Sequence, residues 1–152
     1  MRNIKYIVVS LLLGFIELFG ATNRYEMKSG IVEYAGAMRP LWILRDNQII
    51  EIKADKIPIG TKQKDREESI GYITHQIQAE PNDTFYIFTD GYADQFGGPK
   101  DKKFSTGKFK ELLIESGKHP LHEQEHILRE AHIHWKRDNE QVDDILVIGF
   151  KP

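Results

Sequence analysis

The sequence predicts an α+β fold with a largely antiparallel sheet and two helices. Short apolar runs rich in β-branched and aromatic residues recur before residue 90, as is typical of strands. Two longer stretches with helical periodicity follow, and an apolar run at 145–148 closes the pattern. Strands, then helices, then a final strand are the order of an α+β domain. The chain has 152 residues, which suffices for one compact domain.

Composition narrows the possible functions. Hydrophobic residues make up 40% and charged residues 29%, as in ordinary globular proteins. The formal net charge of −2 gives no support to nucleic-acid binding, so we expect no nucleic-acid partner. The sequence has no cysteine, which excludes disulfides, thiolate zinc sites and a cysteine nucleophile.

The first twenty residues form a separate apolar segment, ahead of a domain at 21–152. Arg2 and Lys5 accompany the apolar run 6–16, which is typical of a secretory signal and too short to span a bilayer comfortably. Glu17 interrupts the run, and small residues are missing where cleavage would occur. A signal or membrane anchor, a buried element and a truncated start therefore all stay open. We expect the rest of the chain to be cytoplasmic, with membrane association through this segment as the alternative.

Strands separated by turns are predicted between residues 24 and 89. Lys28-Ser29-Gly30 and 45–48 are the turn sequences of two hairpins, and Pro81-Asn82-Asp83 leads into the next strand. The predicted strands are 24–27, 31–35, 41–44, 49–52, 71–78 and 85–89.

Both helices carry recognisable end signals. Ser105 or Thr106 can cap the first helix, which we expect to end near Gly117. Pro120 starts the second helix, which we expect to run to about Trp135.

Two aspartate positions lie at strand ends. Asp90 follows the run 85–89, whereas Asp143 and Asp144 precede 145–148. If these strands pair antiparallel, the carboxylates meet at one end of the sheet, and clustered carboxylates suit a hard cation such as Mg²⁺ or Mn²⁺. Spacing alone leaves a second interpretation open, in which these residues are ordinary turn residues.

The second helix contains a zinc-peptidase pattern. His122, Glu123 and His126 match H-E-x-x-H, whose histidines bind zinc while the glutamate activates water. On a helical wheel both histidines lie opposite the apolar stripe, and His132 and His134 diverge from them. We therefore expect a solvated helix face, with a zinc metallopeptidase as a remote alternative.

Two sequence blocks that contain the strand-end aspartates resemble the PPM-type (PP2C-like) protein phosphatases, and the SpoIIE-like bacterial branch in particular. These blocks are 89–98, with Thr89-Asp90-Gly91, and 141–149, with Asp143-Asp144. Residues 34–41 resemble the family's sheet hairpin, and 54–60 resemble its proline-glycine loop.

The resemblance implies a fold, a reaction and a site. The fold is part of an α-β-β-α sandwich with a two-metal site for Mg²⁺ or Mn²⁺. The reaction is hydrolysis of phosphoserine and phosphothreonine in phosphorylated proteins of bacterial signalling. Asp90 and Asp143 match metal ligands, Asp144 is the alternative to Asp143, and Gly91 and Asp94 shape the site. No catalytic residue beyond the metal ligands is implied.

The chain also departs from this pattern. The family's upstream Gly-Asp and Asp-Gly-His-Gly elements, each of which gives a metal aspartate, are missing before Asp90. We therefore expect the C-terminal portion of a phosphatase domain, inactive or weakly active alone, with an exposed apolar sheet face and open edges. The alternative is a remnant that binds a partner protein without catalysis.

Overall fold

The computed structural model describes the backbone of residues 5–8, 16–18 and 21–26, and the backbone and side chains of 30–58 and 72–152. Strands dominate the first half of the described residues, and helices precede the last strand. The elements are β1 (Lys5–Val8), β2 (Ile16–Leu18), β3 (Ala21–Glu26), β4 (Ile31–Gly36), β5 (Leu41–Arg45), β6 (Gln48–Ile52), β7 (His75–Gln78), β8 (Thr84–Phe88), α1 (Gly91–Asp94), β9 (Phe96–Gly97), β10 (Lys102–Lys103), α2 (Thr106–Ser116), α3 (Leu121–Lys136) and β11 (Leu146–Phe150).

The strands form two main sheets. The large sheet has the order β1-β11-β8-β5-β6, in which only β1 and β11 pair parallel. The second sheet has the order β2-β3-β4-β7 and is antiparallel throughout. Strands β9 and β10 form a small separate ribbon. The predicted α+β class with a largely antiparallel sheet is confirmed.

One face of the large sheet packs against α2 and α3. Trp42 and Tyr86 from the sheet share a buried cluster with Phe109, Leu113 and Leu128 from the helices. Each such side chain contributes about 1.5–3 kcal/mol when it leaves water. This cluster therefore holds the helices on the sheet.

The opposite face of the large sheet packs on the second sheet. Ile43 and Phe85 from the large sheet meet Val32 and Tyr34 from β4, all of them fully buried. Successive strand residues alternate between the two clusters, so that Phe85 faces the second sheet and Tyr86 faces the helices. The described residues thus form helix, sheet and sheet layers.

The outward positions of β7 are polar. Glu33 and Gln76 lie opposite the buried positions of β4 and β7, and the Gln76 amide donates to the Glu33 carboxylate at 3.0 Å. Gln78, farther along the same strand, is also exposed. The expected exposed apolar sheet face stays a prediction, because the side chains of β3 lie outside the described residues.

The predicted hairpins are confirmed where they fall on described residues. Strand β3 pairs with β4, although 27–29, in their turn, lie outside the described residues. Strands β5 and β6 are joined by Asp46 and Asn47, whose φ angles of 49° and 59° suit a tight two-residue hairpin turn. That turn is shorter than the predicted 45–48 because Arg45 and Gln48 pair with each other.

Both predicted helices are confirmed within a residue or two. The Ser105 hydroxyl accepts a hydrogen bond from the Lys108 amide at the start of α2, and Pro120 precedes α3. Helix α1 was not predicted from the sequence.

The prediction for residues 1–20 falls largely outside the described residues. The described part of this segment contributes the backbone of β1, which pairs with β11, and of β2. Among the described residues no helix has the length and apolar character needed to cross a bilayer.

Candidate functional site

Thr89 joins the ends of β8 and β11. The Thr89 amide donates to the Leu146 carbonyl at 3.0 Å, which extends the antiparallel ladder by one residue. Its hydroxyl donates to the Asp144 carbonyl at 2.7 Å and accepts from the Leu146 amide at 3.0 Å. This joint holds the backbone before Asp90 beside that of Asp144. The two strands pair antiparallel, which is the condition under which the sequence brings these aspartates to one end of the sheet.

Gly91 allows the two segments to approach closely. It is buried at the start of α1, directly after Asp90. A Cβ atom at this position would lie 2.4 Å from the Asp144 carbonyl oxygen, which is a backbone clash. Any larger residue would therefore push the Asp90 loop away from Asp144.

The carboxylates at this end of the sheet have different partners. Asp90 pairs with Arg39, at 2.7 Å between Oδ2 and Nη2. Asp143 is exposed, and its Oδ1 accepts from the Asp144 amide at 2.7 Å. Asp94 pairs with Lys103 at 3.1 Å and so ties α1 to β10.

The carboxylate oxygens at this end of the sheet suit a hard cation, but too few of them lie together to complete its coordination. Asp90, Asp143 and Asp144 offer only oxygen atoms, which Mg²⁺ and Mn²⁺ prefer. Within 30–58 and 72–152 no three potential ligands lie together as a metal-binding group. The described residues therefore fit part of a metal shell and do not complete one.

Arg39 is the residue of this site that the sequence analysis missed. It lies between β4 and β5, inside the predicted hairpin block 34–41, and reaches Asp90 because the strand that follows it, β5, pairs with β8, the strand that precedes Asp90. An arginine between two apolar strands was the available signal, but its long-range partner could not be found from spacing.

The zinc pattern on α3 does not form a metal site. His122 and His126 are exposed, as predicted, and no third ligand joins them among the described residues. His132 points instead into the helix-side core beside the Tyr92 ring, at 5.4 Å between ring centroids. Burial, with a smaller contribution from Lys136, lowers the pKa of His132 to about 4.

Comparison with known proteins identifies the family. Residues 11–151 match the family model of stage II sporulation protein E, SpoIIE. This chain belongs to the SpoIIE family. No curated protein matches it.

Solved structures agree with the SpoIIE assignment. The SiaA-PP2C domain of Pseudomonas aeruginosa superposes with a TM-score of 0.76 at 26% identity, over 87% of this chain and 50% of that one. The PP2C phosphatase domain of SpoIIE from Bacillus subtilis, solved with a fragment of its regulatory domain, gives a TM-score of 0.64 at 20% identity, over 85% and 36%.

The SpoIIE-family chain therefore has the PP2C phosphatase fold and spans half or less of the length of these two structures. The resemblance inferred from the strand-end blocks is confirmed at the level of family and fold. Both solved structures are PP2C domains, so membership of the SpoIIE family groups the chain with the PP2C-type phosphatases.

Proposed function

We propose that this chain is part of a Mg²⁺- or Mn²⁺-dependent protein serine/threonine phosphatase domain of bacterial signalling. Asp90 and Asp143 are the proposed metal ligands, with Asp144 as the alternative to Asp143. The observation that carries the proposal is the Thr89 joint, which brings these aspartates to one end of the large sheet. A phosphorylated protein is the proposed substrate.

The chain's own residues would position the cation rather than react. Gly91 keeps the Asp90 loop against the segment that carries Asp143, and the Asp94–Lys103 pair fixes the helix that follows. When bound, the metal would activate water and neutralise charge on the phosphate oxygens.

We further propose that residues 21–152 form a partial domain with little or no activity alone. The support is the small number of carboxylates, because affinity for hard cations follows the number and charge of the ligands. The chain also covers only half of the SiaA-PP2C domain.

The test measures metal binding and hydrolysis together. We expect weak Mn²⁺ binding by isothermal titration calorimetry that is lost in Asp90→Asn and in Asp143→Asn. Asp138→Asn, which removes an exposed carboxylate beyond α3, is the matched control. Equal binding in all four proteins would exclude the proposed ligands.

Hydrolysis of a phosphoseryl peptide with Mn²⁺ should stay near the blank for the isolated chain. Manganese-dependent turnover that Asp90→Asn abolishes would contradict the proposed inactivity and would establish the chain as a phosphatase.

Partner binding without catalysis is the second candidate function. Met38 and Ile73 are 53% and 59% exposed, and both of their backbone amides donate to Asp55, so two segments that carry exposed apolar side chains meet at this residue. Recovery of the same partner by a protein with both Asp90→Ala and Asp143→Ala would support this function, whereas loss of the partner would count against it.

A further inference from the structure

Arg39 lies on a strained and tightly held turn. The Arg39 amide donates to the Ala37 carbonyl at 2.8 Å, which closes a three-residue turn around Met38. Met38 has a φ of 65°, a left-handed conformation that side-chain-bearing residues rarely adopt. The Met38 amide also donates to the Asp55 carbonyl at 2.7 Å. Such strain persists only where the surrounding structure imposes it, and it is concentrated at functional sites.

A buried tyrosine holds the other side of this turn. The Tyr34 hydroxyl donates to the Arg39 carbonyl, and Tyr34 itself is fully buried between the sheets. A Cβ atom on Gly36 would lie 1.8 Å from the Tyr34 hydroxyl oxygen and 2.9 Å from the Arg39 carbonyl. The core therefore fixes the backbone from which the Arg39 side chain extends.

The ion pair between the Arg39 and Asp90 side chains, in contrast, can exchange partners. The side chains of Arg39 and Asp90 are 36% and 40% exposed, and an ion pair in such contact with water is weak. Arg45 provides the comparison, because it makes two hydrogen bonds to Asp83, whose side chain is only 1% exposed. A fixed backbone with an exchangeable ion pair is what a reversible anion site requires.

We propose that Arg39 is the residue that binds the substrate's phosphoryl group and that Asp90 occupies it until a cation takes the Asp90 carboxylate. This inference rests on the proposed function, in which Asp90 is a metal ligand. The change is an exchange of ionic partners with no covalent step. A guanidinium donates two parallel hydrogen bonds to phosphate, which a lysine cannot do.

The decisive experiment omits metal. Inorganic phosphate is titrated into wild type, Asp90→Asn and two double variants, and NMR follows the arginine side-chain N–H signals. Asp90→Asn should free Arg39 and bind phosphate about tenfold more tightly than wild type. Adding Arg39→Gln to Asp90→Asn should reverse that gain.

Lys118→Gln in the Asp90→Asn background is the matched control, because it removes the same charge from an exposed ion pair, with Glu115, that is not part of the proposed site. This double variant should bind phosphate within about twofold of Asp90→Asn. If Arg39→Gln leaves the affinity unchanged, or if Lys118→Gln lowers it equally, the proposal is overturned. Amide spectra confirm that each variant is folded, and Asp90→Asn with Arg39→Lys should be intermediate.

A second titration separates this inference from the proposed function. Mg²⁺ added to wild type should strengthen phosphate binding as Asp90→Asn does, and it should not do so in Arg39→Gln. If Mg²⁺ strengthens binding equally in Arg39→Gln, Arg39 is not the phosphate ligand. The remaining outcome is that Mg²⁺ leaves the phosphate affinity of wild type unchanged while the metal-free titrations give the expected differences between variants. In that case the metal site of the proposed function is excluded, and the role of Arg39 as an anion-binding residue stands.

Discussion

The buried His132 should make the chain sensitive to acid. Its side chain is 1% exposed, and neither ring nitrogen has a hydrogen-bond partner among the described residues. In the unfolded chain the imidazole binds a proton near pH 6.5, whereas in the folded protein burial lowers its pKa to about 4. The unfolded state therefore binds more protons between these values, and the free energy of unfolding falls as pH falls.

The size of this effect follows from the difference in pKa. A shift from 6.5 to about 4, at about 1.4 kcal/mol for each pH unit, corresponds to roughly 3 kcal/mol. That contribution is fully present above pH 6.5, is lost progressively towards pH 4 and changes no further below it. A loss of this size is a large fraction of the stability of a small domain.

Urea unfolding of wild type and His132→Leu, measured across this pH range, isolates the contribution of His132 to the pH dependence of the free energy of unfolding. Carboxylates titrate in both proteins, so their contribution cancels in the difference between the two curves. We expect the wild type to lose about 3 kcal/mol more than His132→Leu between pH 7 and pH 4. Parallel curves would show that His132 is protonated without cost in the folded state and would refute the argument.

Two substitutions test the packing near the site and the large sheet. Gly91→Ala should lower the free energy of unfolding by about 1–3 kcal/mol, because its Cβ would meet the Asp144 carbonyl, whereas Gly107→Ala in α2 meets no atom within 4 Å and should not destabilise. Arg45→Met should cost about 3 kcal/mol in urea unfolding, because it leaves the buried Asp83 carboxylate without its guanidinium. Lys118→Met, which breaks an exposed ion pair, should leave the free energy of unfolding in urea nearly unchanged, and an equal loss in Lys118→Met and Arg45→Met would contradict this account.

Local sequence patterns predicted the helix starts and the strand ends, because these depend on the backbone and side-chain preferences of neighbouring residues. Pro120 and Ser105 mark helix starts through their own backbone and side-chain preferences, so both helices were found. The strand-end position of Asp90 likewise followed from the apolar run before it. Helix α1 was missed because it is a single turn, and the helical spacing of apolar residues can be recognised only over several turns.

Long-range contacts explain what the sequence could not predict. The Arg39–Asp90 pair joins residues that are far apart in the chain, and it depends on the pairing of β5 with β8, which spacing along the sequence does not specify. His132 was interpreted only as a further possible zinc ligand on α3, although it follows the buried Leu128 by four residues and so lies on the same face of the helix. The expected exposed apolar sheet face came from the resemblance to a layered fold and not from a local pattern, because on β7 Gln76 and Gln78 alternate with Ile77.

The left-handed Met38 has a consequence for how this chain can change. Glycine at position 38 would relieve the left-handed strain, but it would also give the unfolded chain more conformations to lose on folding, so the two effects on stability oppose each other. It would also loosen the turn that is held by the Arg39–Ala37 and Met38–Asp55 hydrogen bonds, and Arg39 would then be directed less firmly towards Asp90. The strained methionine therefore restricts the direction of Arg39 at a cost in backbone energy.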